Sequence, residues 1–527
     1  MSYQSFAFLL FSAVTLILYY IVGRHGQKWV LAAANVFFFV MAGPKYLPYL
    51  AVTMVATYAG ALLIGRVYKK ADEKIAAAES QPEKKEIRQK AKKKAKCFLV
   101  LSLLVAVGLL AYCKYSFFVT ENLNRLLTAL GVPQITTFRA VLPIGISFYT
   151  FMALSYILDV YWKRYAAEKN FLTYAVYLSY FPHVVQGPID RFNEFSSQIK
   201  DGVKLSYQNI TFGAQLALWG FFKKLVVADR IGIMVDKVIG GYESYDGIIV
   251  ILALIVYSIQ IYADFSGCID IVSGISEMFG IKLRRNFNHP YFSRTMAEFW
   301  RRWHISLQEW FKDYIYYPVS ASAFTKKIKK FFKKKNMKRA EELFSSCFPI
   351  LVVWLITGIW HGAAWKFVVW GLFHASLLIG SLLFEPVFKW LTKIFRLDTE
   401  NFGWRFIQMV RTFLLCCVGR IFFRANTIEH GFALIRKMLK DTTPTLLAYF
   451  DFTSFGYSWK MLFVICAALI VLLVGDILQE NIRVRETLAK QNLVFRWTVI
   501  LLGLVAVLLF GVYGPGYDAA SFIYEQF

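Results

Sequence analysis

The sequence predicts an all-α polytopic membrane protein. Three observations predict it. Hydrophobic residues make up 57% of the 527 and mean hydropathy is +0.47, whereas soluble domains carry roughly 45–50% apolar residues. Apolar runs recur along the chain, and about eleven transmembrane helices are expected, with re-entrant and interfacial segments between them. The lysines gather in short blocks between the apolar runs, as the positive-inside bias requires. The formal charge of +26 and the pI near 9.6 therefore point to membrane lipids. No basic recognition helix or ordered aromatic platform accompanies the charge, and nucleic acid is not an expected partner. Seven cysteines include no CxxC pair, and Cys416 next to Cys417 inside an apolar run reads as small packed residues. Neither a disulfide framework nor a metal site is expected.

The first apolar run, Phe6 to Val22, has no basic stretch before it and no small-residue cleavage site after it, and is expected to stay as the first span. Trp29 to Met41 is short for a crossing and reads as tilted, protein-covered or re-entrant; Tyr46 to Ile64 is a full span. Residues 66–96, rich in Lys, Glu, Ala and Gln, read as a solvated helical excursion and a basic cytoplasmic loop. Cys97 to Val119 and Leu142 to Trp162 follow as spans, the second opened by Pro143 and Gly145.

From Phe171 to Phe192 the apolar text is broken by Pro182, His183, Gln186, Gly187, Pro188, Asp190 and Arg191. Broken backbone at membrane depth is tolerated only under cover of protein or water, so the segment reads as re-entrant or pocket-lining, or as an interfacial loop. Thr211 to Val227 is an aromatic-rich span closed by Lys223 and Lys224, and Ile248 to Phe265 is a strong span. The text DFSGCID, Asp264 to Asp270, reads as a Ser-Gly turn at that span's end, with Asp264 facing a polar cavity and Asp270 capping the next helix.

Lys282 to Pro318 alternates Arg, Trp and Tyr with apolar residues, as interfacial amphipathic helices do. On a continuous helix Glu298, Arg301 and Arg302 lie one turn before His304 and Gln308 one turn after it. His304 then either shares a polar cavity with His361 or is an interfacial side chain. Residues 326–339 form a second basic loop, cytoplasmic like the first if an even number of crossings separates them. Trp354 to Ala375 is nearly unbroken apolar text carrying His361 between Trp360 and Gly362, with His374 further on. Spans at Trp365 to Phe384, Phe406 to Phe422, Met461 to Val474 and Arg496 to Val512 complete the chain. No internal repeat of the transporter kind is visible.

No GxGxxG, Walker, GxSxG or HExxH motif occurs, so nucleotide hydrolysis, esterase and zinc-protease chemistry have no foothold. An imidazole in an apolar span is either packed against the backbone or works at a site. A neutral buried imidazole suits general-base work, and acyl transfer from a thioester to a hydroxyl needs little else.

Four separated stretches carry a family likeness: SYFPHVVQGPIDRF (Ser179 to Phe192), QIYADFSGCIDI (Gln260 to Ile271), NFNHPYFSRTMAEFWRRWHISLQEWFKDYIYYP (Asn286 to Pro318) and TGIWHGAAWKFVVWGLFHA (Thr357 to Ala375). With the carboxyl-terminal AASFIYEQF, they resemble the membrane-bound O-acyltransferases, in the bacterial branch that includes alginate O-acetyltransferase. The resemblance implies one membrane domain over 1–527, with a catalytic core at 142–375 and transmembrane helices at 376–527, its helices ringing a central tunnel. It implies that His361 is the catalytic base and His304 the second signature histidine. Arg302, Asp264, Trp360, Trp303, His183 and Arg191 are the expected substrate-side or supporting residues.

The implied donor is acetyl-CoA or an acyl carrier protein thioester on the cytoplasmic side of a bacterial plasma membrane. The implied acceptor is a cell-envelope polysaccharide, reached with an extracytoplasmic acetyltransferase-like partner protein. Val319-Ser320-Ala321 departs from the Leu-Gly-Gly usual in the family. GPIDR also resembles the D-alanyl transferases of teichoic acid, so D-alanyl transfer is the alternative within the family. Outside it, the alternatives are a transporter or flippase of an envelope precursor and a scaffold with structural histidines.

Overall fold

A computed structural model describes residues 2–441, 455 and 457–513. Among these the chain is helical, and its only β-pairing is an isolated bridge between Phe287 and Trp303. Among the described residues nine helices are long and apolar enough to cross a membrane, and Phe6–Ile21 and Ile146–Tyr161 are shorter apolar helices. The protein is thus a polytopic all-α membrane protein. The carboxyl-terminal AASFIYEQF lies outside the described residues. The chain forms two compact units, Met1–Ala214 with Val272–Arg284, and Gln215–Ile271 with Arg285–Phe527.

In the first unit α1 (Phe6–Ile21) starts where Ser5 accepts a hydrogen bond from the Phe8 amide at 3.1 Å, and α2 (Gly23–Ala42) follows directly. The expected solvated excursion is two long helices, α3 (Leu47–Ala77) and α4 (Gln81–Ala129), joined at residues 78–80. They touch backbone to side chain. A Cβ on Gly60 would lie 2.0 Å from the Ser102 hydroxyl, which itself donates to the Ala56 carbonyl at 3.0 Å.

The span expected from Leu142 is shortened to α5 (Ile146–Tyr161) because Gly145 turns the chain at φ +71°. A Cβ there would meet the Val184 carbonyl at 2.2 Å, so the broken segment packs straight onto that glycine. After α6 (Phe171–Ser179) the chain leaves helix until α7 (Phe192–Ile199), with every residue from 176 to 192 buried. Its backbone groups are met from inside the protein. Phe181 N–H donates to Asn35 Oδ1 at 2.9 Å, Val185 N–H donates to the Tyr3 hydroxyl at 3.2 Å, and that hydroxyl donates to the Phe181 carbonyl at 2.9 Å. This is the condition under which non-helical backbone persists at membrane depth.

Next, α8 (Tyr207–Phe221) widens into a π-helical segment (Phe222–Ala228) before α9 (Asp229–Gly240). Helix α10 (Gly247–Met278) runs unbroken through DFSGCID. No turn forms at Ser266-Gly267, and Asp270 lies inside a helix, so it caps nothing. The glycine serves packing instead. A Cβ on Gly267 would meet the Gly220 carbonyl at 2.9 Å, and one on Gly220 would meet the Gly267 carbonyl at 2.5 Å, so α8 and α10 cross at contact distance.

The amphipathic stretch is a chain of short helices: α11 (Met296–Arg302), α12 (Ile305–Phe311), a π turn at 312–316 and α13 (Tyr317–Ser320). The lysine block forms α14 (Ala323–Lys334). The spans α15 (Lys338–His361) and α16 (Trp365–Leu383) form a hairpin followed by α17 (Glu385–Ile394), α18 (Phe402–Arg424) and α19 (Ile428–Lys440). Beyond them come α20 (Trp459–Asn481), α21 (Val484–Ala489) and α22 (Leu493–Phe510). Only 6% of the apolar window of α22 is buried, as a helix facing lipid requires.

Candidate functional site

His361 is the last residue of α15, and the chain turns at once into α16 through Gly362-Ala363-Ala364. The hairpin is close because glycines face one another. A Cβ on Gly358 would lie 2.4 Å from the Phe367 carbonyl, and one on Gly371 would lie 2.4 Å from the Trp354 carbonyl. The glycine of Trp-His-Gly has a plain reason too. Its Cβ would sit 2.1 Å from the Phe367 ring, so any side chain there pushes the ring away from the turn. His361 is buried, its ring 4.9 Å from Trp360, 4.8 Å from Trp370 and 5.4 Å from Phe423. The carboxyl end of a helix favours positive charge, the charge a base acquires on taking a proton.

The structure overturns the continuous helix expected around His304. Trp303 is extended, and His304 turns the chain at φ +48° before α12 begins. The cause is Asn286, eighteen residues earlier. Its side-chain oxygen accepts from the Ser306 amide at 3.2 Å and the Ser306 hydroxyl at 2.9 Å, and lies 3.1 Å from His304 Nδ1. An amide N–H can only donate, so the Asn286 atom facing it is the oxygen, and His304 Nδ1 therefore carries the proton. Nε2 is left with its lone pair, buried and without a hydrogen-bond partner. Burial without a counter-charge pushes the His304 pKa down to about 3, so the ring stays neutral near pH 7. The His304 ring lies 4.9 Å from Phe265 and 6.3 Å from Trp360. His304 and His361 thus flank one indole, that of Trp360.

The other expected site residues are spread more widely. Trp303 stacks on Phe299 at 5.5 Å. Arg302 is paired with Glu298 at 3.0 Å and Glu480 at 2.8 Å. Asp264, expected to face a polar cavity, is 1% exposed with Lys224 Nζ at 2.7 Å. His183 and Arg191 are buried in the first unit, where the His183 ring is used on both sides, Nδ1 to Asp190 at 2.9 Å and Nε2 to the Tyr177 carbonyl at 3.0 Å. His289 is a turn residue at φ +43°, 3.3 Å from Asp476. His374 is packed in a tryptophan box, 4.9 Å from Trp300, 5.3 Å from Trp354 and 4.8 Å from Trp370. Among the described residues no group of three or more His, Cys, Asp or Glu is placed to hold a metal ion.

Two features escaped the sequence reading. Lys223 and Lys224 do not close a span at an interface. Both are buried on the π-helical segment, Lys223 with Asp270 at 2.7 Å and Ser266 at 2.9 Å, and Lys224 with Asp229 at 2.8 Å and Asp264 at 2.7 Å. The second feature is Arg420, buried in α18. Arg411 and Arg420 inside the apolar run from Phe406 to Phe422 were a visible signal for it.

The chain is similar in sequence to known proteins. The model of the membrane-bound O-acyltransferase family matches residues 82–333, which include His304. A probable alginate O-acetylase of Azotobacter vinelandii is 32% identical over 352 residues, 67% of this chain and 64% of the relative. One of Pseudomonas aeruginosa is 30% identical over 444 residues, 84% of this chain and 76% of the relative. A peptidoglycan O-acetyltransferase of Helicobacter pylori is 28% identical over 438 residues, covering 78% and 73% of the two chains. With helices long enough to cross a membrane and two buried histidines around one tryptophan, the chain belongs to the membrane-bound O-acyltransferase family.

Proposed function

We propose that the protein transfers an acetyl group from a thioester donor, acetyl-CoA or an acyl carrier protein, to a hydroxyl of a cell-envelope polysaccharide or of an extracytoplasmic partner that passes it on. The observation that carries the reading is His361 at the carboxyl end of α15, buried among Trp360, Trp370 and Phe423. Relatives named for acetylation of alginate and peptidoglycan support acetyl as the group and an envelope polymer as the acceptor. The chain works as a multi-pass protein of a bacterial plasma membrane.

In this reading His361 takes the proton of the acceptor hydroxyl as its oxygen attacks the thioester carbonyl. The tetrahedral intermediate then expels the thiolate, which receives the proton from the imidazolium. One C–O bond forms, one C–S bond breaks, and the histidine returns neutral. His304 presents its bare Nε2 beside Trp360 and holds a polar group of the acceptor or donor. A positioned base contributes about 10²–10⁴ in rate.

Labelled acetyl-CoA supplied to proteoliposomes, with the acceptor outside, tests the reaction. Label moves with wild type and falls by about 10²-fold or more with His361→Ala. A D-alanyl carrier thioester serves as the competing donor. Faster transfer from it would replace acetyl by D-alanyl.

A further inference from the structure

We infer that Arg420, Trp300 and His374 form a subsite for the oxygen of a short acyl group, a carboxylate or thioester carbonyl. The starting observation is an imbalance of charge. Arg420 is 6% exposed inside a membrane-spanning helix, where a cation without compensation is expensive. The other buried cations of this unit have theirs: Lys223 meets Asp270 at 2.7 Å, and Lys224 meets Asp264 and Asp229 at 2.7 and 2.8 Å. No described carboxylate lies in ion-pair reach of Arg420. It has a long hydrogen bond to the Ser258 carbonyl at 3.5 Å, a side-chain hydrogen bond with Tyr291, and sits over the faces of Tyr291, Phe299 and Trp303 at 5.3, 5.9 and 4.9 Å. Aromatic faces hold the guanidinium plane but offer no anion to its N–H groups.

Those groups border a cavity of about 20 Å³ that Trp300, Trp303, Trp370, His374 and Ile261 also line. Trp300 Nε1 and His374 Nδ1 are buried and have no hydrogen-bond partner. The imidazole is seated there because position 419 is glycine; a Cβ would lie 2.7 Å from His374 Nε2. The guanidinium and indole N–H groups donate only, and the imidazole adds a third donor in its Nδ1–H tautomer. Such a lining selects an acceptor, anionic or strongly polarised. A volume near that of a single water admits one oxygen, and excludes a phosphate or a long acyl chain. Trp370 is a shared wall, its ring 4.8 Å from His374 and 4.8 Å from His361. An acyl oxygen held here is one aromatic ring from the proposed base, and this assignment to the acyl group rests on the acyltransferase reading.

The test is acetate binding to the purified full-length protein in detergent, followed by tryptophan fluorescence with gluconate as the ionic-strength control. Wild type is expected to give a saturable change with acetate and none with hexanoate. Arg420→Met should weaken acetate at least tenfold. Trp300→Phe, which keeps a ring and removes only the N–H, should weaken it two- to tenfold and covers the case in which the arginine variant does not fold. His361→Ala should bind acetate while losing transfer. Absence of saturation by acetate in wild type, equal binding by folded Arg420→Met, or saturation by chloride alone overturns the inference. Transfer with no acetate binding removes the subsite and leaves the acyltransferase reading. Acetate binding with no transfer from either donor removes the acyltransferase reading and leaves the subsite.

Discussion

Replacing Asn286 by leucine should unfold the turn that carries His304, with little change in side-chain volume. Asn286 is 1% exposed, and its oxygen is the shared acceptor for the Ser306 amide, the Ser306 hydroxyl and His304 Nδ1. Leucine fills the space but strands two buried N–H groups, while the hydroxyl can rotate toward another acceptor. Each stranded N–H costs about 1–3 kcal/mol, so the loss should be about 2–6 kcal/mol. Asn286→Asp keeps the acceptor and should lose less than half as much. The assay is unfolding of the detergent-solubilised protein by heat and by denaturant, beside acyl transfer measured at a temperature where both variants remain folded. A leucine variant within about 0.5 kcal/mol of wild type, outside the loss expected for stranded N–H groups, would refute the claim that Asn286 builds the His304 turn.

Removing Lys224 as methionine leaves Asp264 and Asp229 without their ammonium, and breaking a buried pair from one side costs about 3–5 kcal/mol. Folded Lys224→Met should be markedly less stable in denaturant than the Lys224→Met/Asp264→Asn double variant. Gly145→Ala combines a φ of +71° with a contact of 2.2 Å to the Val184 carbonyl. It should cost at least about 1–3 kcal/mol, and an alanine variant as heat-stable as wild type would contradict the packing of the broken segment. For His304 the sign is set by a folded-state pKa of about 3, below the unfolded value near 6.5. The unfolded chain binds the proton first, so this group leaves stability unchanged above pH 6.5 and lowers it as pH falls toward 3, by up to about 1.4 kcal/mol per unit. His304→Asn should flatten stability measured between pH 6 and 4, and an unchanged slope would count against a buried neutral ring.

The fold was legible where it depends on local composition. Long apolar runs mark α3, α4, α10, α15, α16 and α20, and the covered backbone of 180–191 was foreshadowed by its proline, glycine and charges. The pairing of His361 with its aromatic surroundings was legible in Trp-His-Gly and its neighbours. What escaped depends on residues far apart in the chain. Periodicity over Lys282 to Pro318 describes a helix, because only Asn286 folding back on Ser306 shows that the helix breaks at His304. DFSGCID reads as a turn until Gly220 is placed against Gly267. Lys223 and Lys224 read as the close of a span because their acids stand on α9 and α10, up to 47 positions away at Asp270 for Lys223.

The central claim is that His361 is the base of an acyl transfer. The most direct measurement is single-turnover transfer of labelled acetyl from acetyl-CoA to the acceptor, comparing wild type with His361→Ala and His361→Gln in proteoliposomes. Both variants should insert, bind donor and fall by about 10²–10⁴ in rate. Transfer by a folded, inserted His361→Ala at the wild-type rate would contradict the account.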